Sequence, residues 1–473
     1  MTGQENYRSG FYFLRILLFI ICSISFGVLN SSAFEFNEML SIHGFLENQT
    51  GVRLQDHYLG YAEDGDFSLM RNTLQLEAKG RFSDHISYNT KFRGWYDAVY
   101  DIDSNIDDRP EDDDDNIWDA DLHTYFATAQ FGNWNVQIGQ QELVWGESDL
   151  FRMADIVNPV DLSWHYLWPN LDGDGYRIPL RMVVIDYLTN WHNFVAQAVV
   201  IPEHFEPWKL APEGANFFPP ALLLPGGYDV ANTLIDDGHD SSDGDNFEAG
   251  LRLKANIAGA DASVFYFHTR SDLPAFNFNP SSLALEAKFE KYDVVGATLN
   301  YYEPNTKTVF RFETAFNFDN PYTAFSNHPV FGPVPGVVKK DTFAYMVGFD
   351  RESFLGWPKG RTVNISGQMF QQYILDSDDS VFYPFMAEPD QQTMFTLILN
   401  TFLGFGNKWM PQLLVGYDVD GAGVFYPSLK YSHSDNLSMS LNYTAFWGDA
   451  QNGGYFHPFE KNDEIWLQVR LKL

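Results

Sequence analysis

The segment Ile86–Tyr100, ISYNTKFRGWYDAVY, changes side-chain character at every step. Ile86, Tyr88, Thr90, Phe92, Gly94, Tyr96, Ala98 and Tyr100 share one face, and Ser87, Asn89, Lys91, Arg93, Trp95 and Asp97 share the other. A period of two is the repeat of an extended strand, whose successive side chains point to opposite sides. The run is longer than the usual strand of a soluble domain. The same rhythm recurs in Phe247–Ile257, Thr308–Phe318 and Leu437–Trp447. It also fills the end of the chain, where Ile465, Leu467, Val469, Leu471 and Leu473 alternate with Trp466, Gln468, Arg470 and Lys472.

A soluble sandwich would alternate in the same way, so the period alone leaves two architectures open. Connection lengths separate them. Strands are expected near 41–53, 69–82, 85–100, 119–131, 133–145, 178–188, 192–201, 246–258 and 260–269. The second half continues near 291–302, 306–318, 341–351, 361–373, 391–402, 411–419, 422–432, 436–447 and 464–473. Tight links such as Ser83-Asp84, Gly132 and Gly259 alternate with long ones at 54–68, 101–118, 146–177, 202–245, 270–290, 319–340, 374–390 and 448–463. Short turns at one end and long loops at the other mark an outer-membrane barrel. The expected fold is therefore all-β: one transmembrane antiparallel up-and-down barrel of 16–18 strands, with short periplasmic turns and long extracellular loops. Pro427, inside the segment 422–432, calls for a bulge or a shifted strand, since proline cannot donate to a ladder. Many such barrels end in an aromatic residue, and Leu473 departs from that habit.

Composition narrows the function. Of 473 residues, 30 are Lys or Arg and 63 are Asp or Glu, a formal charge of −33. That balance argues against nucleic acid as a partner, because phosphates are neutralised by clustered bases. The single cysteine, Cys22, excludes a disulfide scaffold, a cysteine-ligated zinc site and thiol catalysis. Arg8 and Arg15 precede an apolar run, Ile16–Leu29, and the small residues Ser31-Ser32-Ala33. This order describes an export signal over residues 1–33, followed by a single barrel domain over 34–473.

The polar face of the strands carries charge. Glu77, Lys79, Lys91, Arg93, Asp97, Glu248, Arg252, Lys254, Arg311, Glu313, Arg470 and Lys472 all lie opposite apolar side chains. On the lipid face each would cost about 2–4 kcal/mol near mid-membrane, so they are expected to line a hydrated lumen. Bases outnumber acids there, which predicts a preference for anionic solutes. The bland alternative is that these charges pair and merely solvate the wall.

The acids concentrate in the long links. Asp101–Asp121, including Asp112–Asp115, is one cluster, the stretch Asp236–Asp245 is another, and Asp376, Asp378 and Asp379 form a third. Oxygen-rich clusters can hold Ca²⁺, but these lack the fixed spacing of an EF-hand loop, so no cofactor is expected. Solvated, mutually repelling loop tips are the simpler account. Outer-membrane lipid and lipopolysaccharide, the latter bridged by divalent ions, are the expected partners.

The stretch Ile138–Leu162, IGQQELVWGESDLFRMADIVNPVDL, breaks the alternation after a strand. A Trp-, Asp- and Asn-rich loop behind a barrel strand is suited to fold inward, so 146–177 is the candidate constriction, the alternative being a capped extracellular loop with no role in transport. Gly139, Gln140, Gln141, Trp145, Gly146, Glu147, Asp149, Asp155, Asn158, Pro159 and Asp161 are its marked residues. The link 202–245, with Phe217-Phe218-Pro219-Pro220 and Leu222–Leu224, is a second candidate for the interior or for an apolar solute.

Gly139-Gln140-Gln141, Trp145-Gly146-Glu147-Ser148, Asp155, Asn158-Pro159, Asp161 and Arg177-Ile178-Pro179 resemble the signature of an uncharacterised proteobacterial outer-membrane family, a domain of unknown function. The family pattern has Arg where this chain has Gln140. The resemblance implies a porin-like barrel in the outer membrane of a Gram-negative bacterium, moving hydrophobic or bulky organic compounds. It also implies a periplasmic lipoprotein or an inner-membrane efflux-type partner.

Two other function classes compete with a channel for small organic solutes. A rim hydrolase would need a nucleophile, a base and an orienting group. The chain has no Gly-x-Ser-x-Gly elbow, and Ser432-His433-Ser434 falls in an expected turn. A structural sheath around a protein partner is the third reading, which a wide lumen permits.

Overall fold

The computed structural model describes residues 34–37, 39–56, 63–102, 117–165, 176–202, 205–211, 217, 235–236, 246–356, 358–382, 390–448 and 454–473. The expected export signal at 1–33, Asp112–Asp115, Asp172–Asp174, 218–224 and Asp240–Asp245 lie outside them. Eighteen strands form the barrel. They are β1 Leu40–Arg53, β2 Phe67–Ser83, β3 Ile86–Asp97, β4 Trp118–Phe131, β5 Trp134–Gln141, β6 Leu180–Leu188, β7 Val195–Ile201, β8 Glu248–Ile257 and β9 Ala260–Arg270. The other half comprises β10 Lys291–Glu303, β11 Thr308–His328, β12 Gly332–Ser353, β13 Val363–Ile374, β14 Gln391–Thr401, β15 Trp409–Asp418, β16 Gly423–Ser432, β17 Leu437–Trp447 and β18 Glu464–Lys472.

Each strand pairs antiparallel with its chain neighbours, and β1 pairs with β18 from Phe45↔Lys472 to Arg53↔Glu464, which closes the ring. Closure leaves no strand edge, as a lipid environment requires of any sheet that spans it. The outward side chains are apolar and exposed, as at Leu251, Leu253 and Ile257 on β8 or Phe310, Phe312 and Phe318 on β11. Rings gather at the short-turn end: Phe82 stacks near Tyr88 at 4.8 Å, Trp134 near Tyr187 at 4.7 Å, and Trp409 near Tyr431 at 4.5 Å. Such a girdle belongs at a membrane interface. The β8–β9 turn is two residues, Ala258 and Gly259, both at positive φ, the geometry that matches strand twist in a tight hairpin.

Two local expectations are corrected. The segment 319–340 is not a loop: after a bulge at Asp319, Asn320–His328 and Lys340–Gly332 continue as a paired ribbon beyond the barrel. The two prolines on its β12 side, Pro333 and Pro335, are tolerated because β12 has no second partner there, β13 joining it only from Thr342↔Ile374. Pro427 produces neither a bulge nor a slip. The β16–β17 ladder skips from Phe425↔Ala445 to Ser428↔Asn442 in unchanged register, while Pro427 stays opposite Leu413 on β15. The short link after Asp418 is real, closed by Asp418 N–H to Ala422 O at 2.8 Å with Gly421 at φ +102°.

The interior is not uniformly aqueous, contrary to the expectation from the charged face. Toward the long-loop end, inward positions on β12–β18 carry Ala344, Met346, Phe370, Met394, Leu414, Val424, Tyr426, Phe446 and Trp466, packed into one apolar cluster with Phe151, Met153, Phe217, Phe456 and Phe459. A second cluster joins Trp145, Ala154 and Val157 to Leu180, Met182, Val199, Phe265 and Phe267 on β6–β9. Inward strand positions here are apolar because chain segments from the long loops fold in and cover them. Burial of this kind is worth about 25 cal/mol per Å² removed from water.

Candidate functional site

The segment after β5 crosses the barrel interior, and its local sequence explains how it holds its course. Asn158 acts as a hub: its Oδ1 accepts from Leu143 N–H at 2.7 Å, and its Nδ2 donates to Ile178 O at 2.9 Å and Gln141 O at 3.3 Å. Ile178 N–H donates to Pro159 O at 2.9 Å, and Val160 bridges Arg177. Asp155 takes Arg177 at 2.8 and 3.0 Å and Arg152 at 3.3 Å. Gly146 lies so close to Asp155 that a Cβ there would come within 2.7 Å of it, so the fold of the segment requires glycine. These bonds pin the two ends of the excursion to each other.

The middle of the segment is tied to the far wall. Trp145 is fully buried, donating to Gln197 at 2.8 Å and packing on Phe265 and Phe267 at 5.3 and 5.5 Å. Glu313 on β11 accepts from the backbone N–H groups of Glu147 and Ala154. Arg311 holds Asp149 through both guanidinium nitrogens, at 2.8 and 2.9 Å, and also reaches Asp350 at 2.7 Å. Gln368 and Ser366 on β13 donate to the same Asp149 carboxylate at 3.0 and 3.1 Å. Phe151 meets Phe370 at 4.9 Å and Tyr455 at 4.8 Å. The excursion then returns toward the first strands, where His165 bonds Glu464 at 2.9 Å and Trp164 lies 4.4 Å from the Arg71 guanidinium.

With the excursion seated on β7–β13 and β18, open space remains along β2–β5. At the long-loop half a cavity of about 220 Å³ is lined by Arg71, Arg93, Arg177 and Lys209 and by Asp119, Asp121, Asp161 and Glu206. Asp121 is the register partner of Arg93, so the two charges face the same space. Arg71 sits between the Trp95 ring at 3.7 Å and Trp164, 5% exposed. Toward the short-turn end of the same strands a wider cavity, about 660 Å³, is lined by Lys79, Arg81, Ser87, Asn89, Phe126 and Thr128. Two basic side chains and no acid line it among the described residues. Glu142, at the foot of the excursion, is buried, which raises its pKa. The His123 ring, 3.5 Å away, and the Lys91 and Arg177 charges outweigh that and hold it below the usual range.

The charged residues expected to line the lumen all fall on inward faces, but most are engaged. Glu77 takes Lys79 and His43 at 2.8 Å and Asn89 at 2.7 Å. Lys91 lies 3.7 Å from Glu142, and Asp97 accepts the backbone N–H groups of Met70 and Val99. Glu248 accepts from Thr269, while Arg252 donates to Ser263 at 3.1 Å and to Val144 O at 3.4 Å. Arg470 pairs with Glu47 on β1. Lys254 and Lys472 are exposed near the short-turn end. Arg311 and Glu313 are anchors of the excursion, not free lining groups.

Among the marked loop residues, Gln140 stays on its strand, donating to His123 O at 3.0 Å across the β4 irregularity. Gln141 donates to Met182 O at 3.3 Å, Gly139 sits at φ +139°, and Asp161 accepts from Ser163. Sequence reasoning missed Arg71, Trp164 and His165. Arg71 shared a strand face with Glu77 and Lys79, which was the available signal. Ser432 ends β16, and His433-Ser434 open the short link to β17, which His433 N–H closes on Leu437 O at 2.9 Å.

Comparison with solved structures finds the same architecture. OccAB1 of Acinetobacter baumannii superposes with a TM-score of 0.52 at 10% identity, covering 94% of this chain and 99% of that one. OccAB3 of the same organism gives 0.51 at 8% identity, covering 92% and 99%. At such identities the likeness is one of fold: a closed antiparallel barrel of the outer-membrane porin kind. The comparison with curated proteins returned no match. The model of a protein of unknown function, DUF1302, matches residues 47–473, and the chain belongs to that family.

Proposed function

We propose that the protein is an outer-membrane channel for small organic solutes, with the long loops extracellular and the short turns periplasmic. The observation that carries this reading is the asymmetry of the interior. The excursion 142–165 is bonded to β7–β13 and β18, which leaves the space along β2–β5 as the passage. An 18-stranded ring is wide enough for an aqueous channel, and the excursion narrows it to one side. At the narrow level basic and acidic groups face each other, and among the described residues the charged groups on the wider cavity below are Lys79 and Arg81. That arrangement supports a mild preference for anions on the periplasmic side.

The β6–β18 side of the interior is occupied by the protein's own segments, which favours a channel over a sheath enclosing another protein. Single-channel recording of the purified barrel in planar bilayers tests the reading. Discrete conductance steps that grow when 146–161 is replaced by a short glycine linker are expected. Unchanged step size would remove the excursion from the role of constriction, and cation-preferring reversal potentials would remove the charge preference.

A further inference from the structure

On the other side of the excursion from the passage lies a third cavity, of about 210 Å³. Arg152–Ile156 of the excursion form one wall, Trp208 and Asp272 a second, and the inward positions Tyr292, Asn317, Ala344 and Gln372 of β10–β13 a third. Rings of Trp208, Phe276, Tyr292, Tyr322 and Phe382 dominate the lining. The polar atoms that reach it are unevenly matched. Asn317 Oδ1 and Asp155 Oδ1 are buried without a hydrogen-bond partner, and Asp155 is 4% exposed. Asp272 accepts the Trp208 indole N–H at 2.9 Å on one oxygen and makes no ion pair among the described residues. Arg152, the one cation among the described residues of the wall, is occupied by Asp155 and by the Asn158 carbonyl.

Buried polar atoms in native proteins are nearly all bonded, so orphaned acceptors inside a cavity ask for donors from a guest. We propose that this cavity, beside the passage, binds an amphipathic ring compound carrying an O–H or N–H donor, and discriminates against the matching carboxylate. The rings receive the apolar body, and Asn317, Asp155 and Asp272 receive the donor. A carboxylate would place lone pairs against lone pairs. Burial of Asp272 pushes its pKa up to about 7, against the Arg152 charge and the Trp208 bond, so the group also offers a protonated form. The site rests on the channel reading only in being reached from the long-loop mouth; its chemistry stands on its own lining.

The test is calorimetric titration of the detergent-solubilised full-length barrel with 2-phenylethanol, 2-phenylethylamine and phenylacetate, each corrected for the same titration into empty micelles. Saturable binding of the alcohol and the amine is expected, with phenylacetate weaker by roughly tenfold or more, the worth of one lost bond plus a desolvated charge. Alcohol binding by Asn317→Leu should weaken by roughly tenfold. Asp272→Asn should weaken the amine more than the alcohol. Both variants are checked for the heat-modifiable gel shift of a closed barrel. Equal binding of all three probes, no saturable binding to a folded barrel, or wild-type affinities in both variants would overturn the proposal. Conductance measured on the same preparation separates the two readings. A conducting barrel that binds none of the probes sinks the cavity alone, and a silent barrel that ranks them as stated sinks the channel alone.

Discussion

Arg311 and Asp149 lie 162 residues apart, yet the guanidinium of one grips both carboxylate oxygens of the other at 2.8 and 2.9 Å. This bidentate pair fastens the middle of the interior excursion to the wall opposite the passage. Charge-assisted forks of this kind are the strong class of hydrogen bond. Asp350, Ser366 and Gln368 complete the grip, so the position of the excursion is set by three strands at once.

Releasing that grip should widen or destabilise the pore. Arg311→Ala leaves the Asp149 and Asp350 carboxylates, each about a third exposed, without their cation, a loss of about 1–3 kcal/mol for charge-assisted bonds partly screened by water. The expected result is a larger and noisier single-channel current. Arg311→Lys should restore only part of the wild-type trace, because an ammonium cannot fork. A current identical to wild type in Arg311→Ala would show that the pair does not position the excursion.

Trp145 is the other anchor, and Gly250 makes room for it, since a Cβ at Gly250 would approach the indole within 2.8 Å and the Phe267 ring within 2.4 Å. Trp145→Ala should cost the excursion about 3–5 kcal/mol of local stability. Gly250→Val should act in the same direction by collision. Limited proteolysis within 146–165 is expected to speed up in both variants while the strands stay resistant.

Arg71 lies in the narrow cavity between two indole rings. Arg71→Gln removes its charge and a stacked cation worth about 0.5–2 kcal/mol to the Trp164 side of the excursion. Reversal potentials in a salt gradient should move toward cation preference. A potential unchanged within error would mean that Arg71 is structural only.

The pH dependence of stability carries a sign set by Asp272, whose pKa is raised by burial to about 7 despite Arg152 and Trp208, with Asp155, Glu248 and Tyr292 also close by. A carboxyl whose folded pKa exceeds its unfolded value binds more protons when folded. Its contribution is therefore fully favourable below about pH 4 and lost as pH rises toward 7. Asp272→Asn should melt higher than wild type at pH 8, and the gap should close at pH 4. Melting followed by the gel shift at both pH values checks this; a gap that grows on acidification contradicts it.

Strand positions were legible because lipid on one side enforces a period of two over ten or more residues, as in Ile86–Asp97 and Leu437–Trp447. The ribbon 320–340 was not, since Pro333 and Pro335 read as breakers unless the edge they occupy is known. The partly dry interior was hidden for a related reason. In β14, Met394 faces inward and Phe395 outward, and alternation cannot tell one apolar face from the other when a folded-in segment covers it. Within the site, the Trp, Asp and Asn of 145–161 announced an ordered loop. Their partners Arg311 and Glu313 read as lumen charges, because sequence shows the charge and not what lies across the barrel. Trp164 and His165 carried no pattern at all.

The return of the excursion bears on the join between the first and last strands, where the ring closes. His165 bonds Glu464 on the last strand, Ser68 on β2 donates to the same carboxylate at 2.7 Å, and Trp164 stacks on Arg71 of β2. The join is thus laced from within by His165 and Ser68, which belong to neither of the strands it unites, meeting on Glu464 of the last strand. Sideways escape of a guest into the lipid at that line would require the lacing to be undone first, which directs traffic lengthwise.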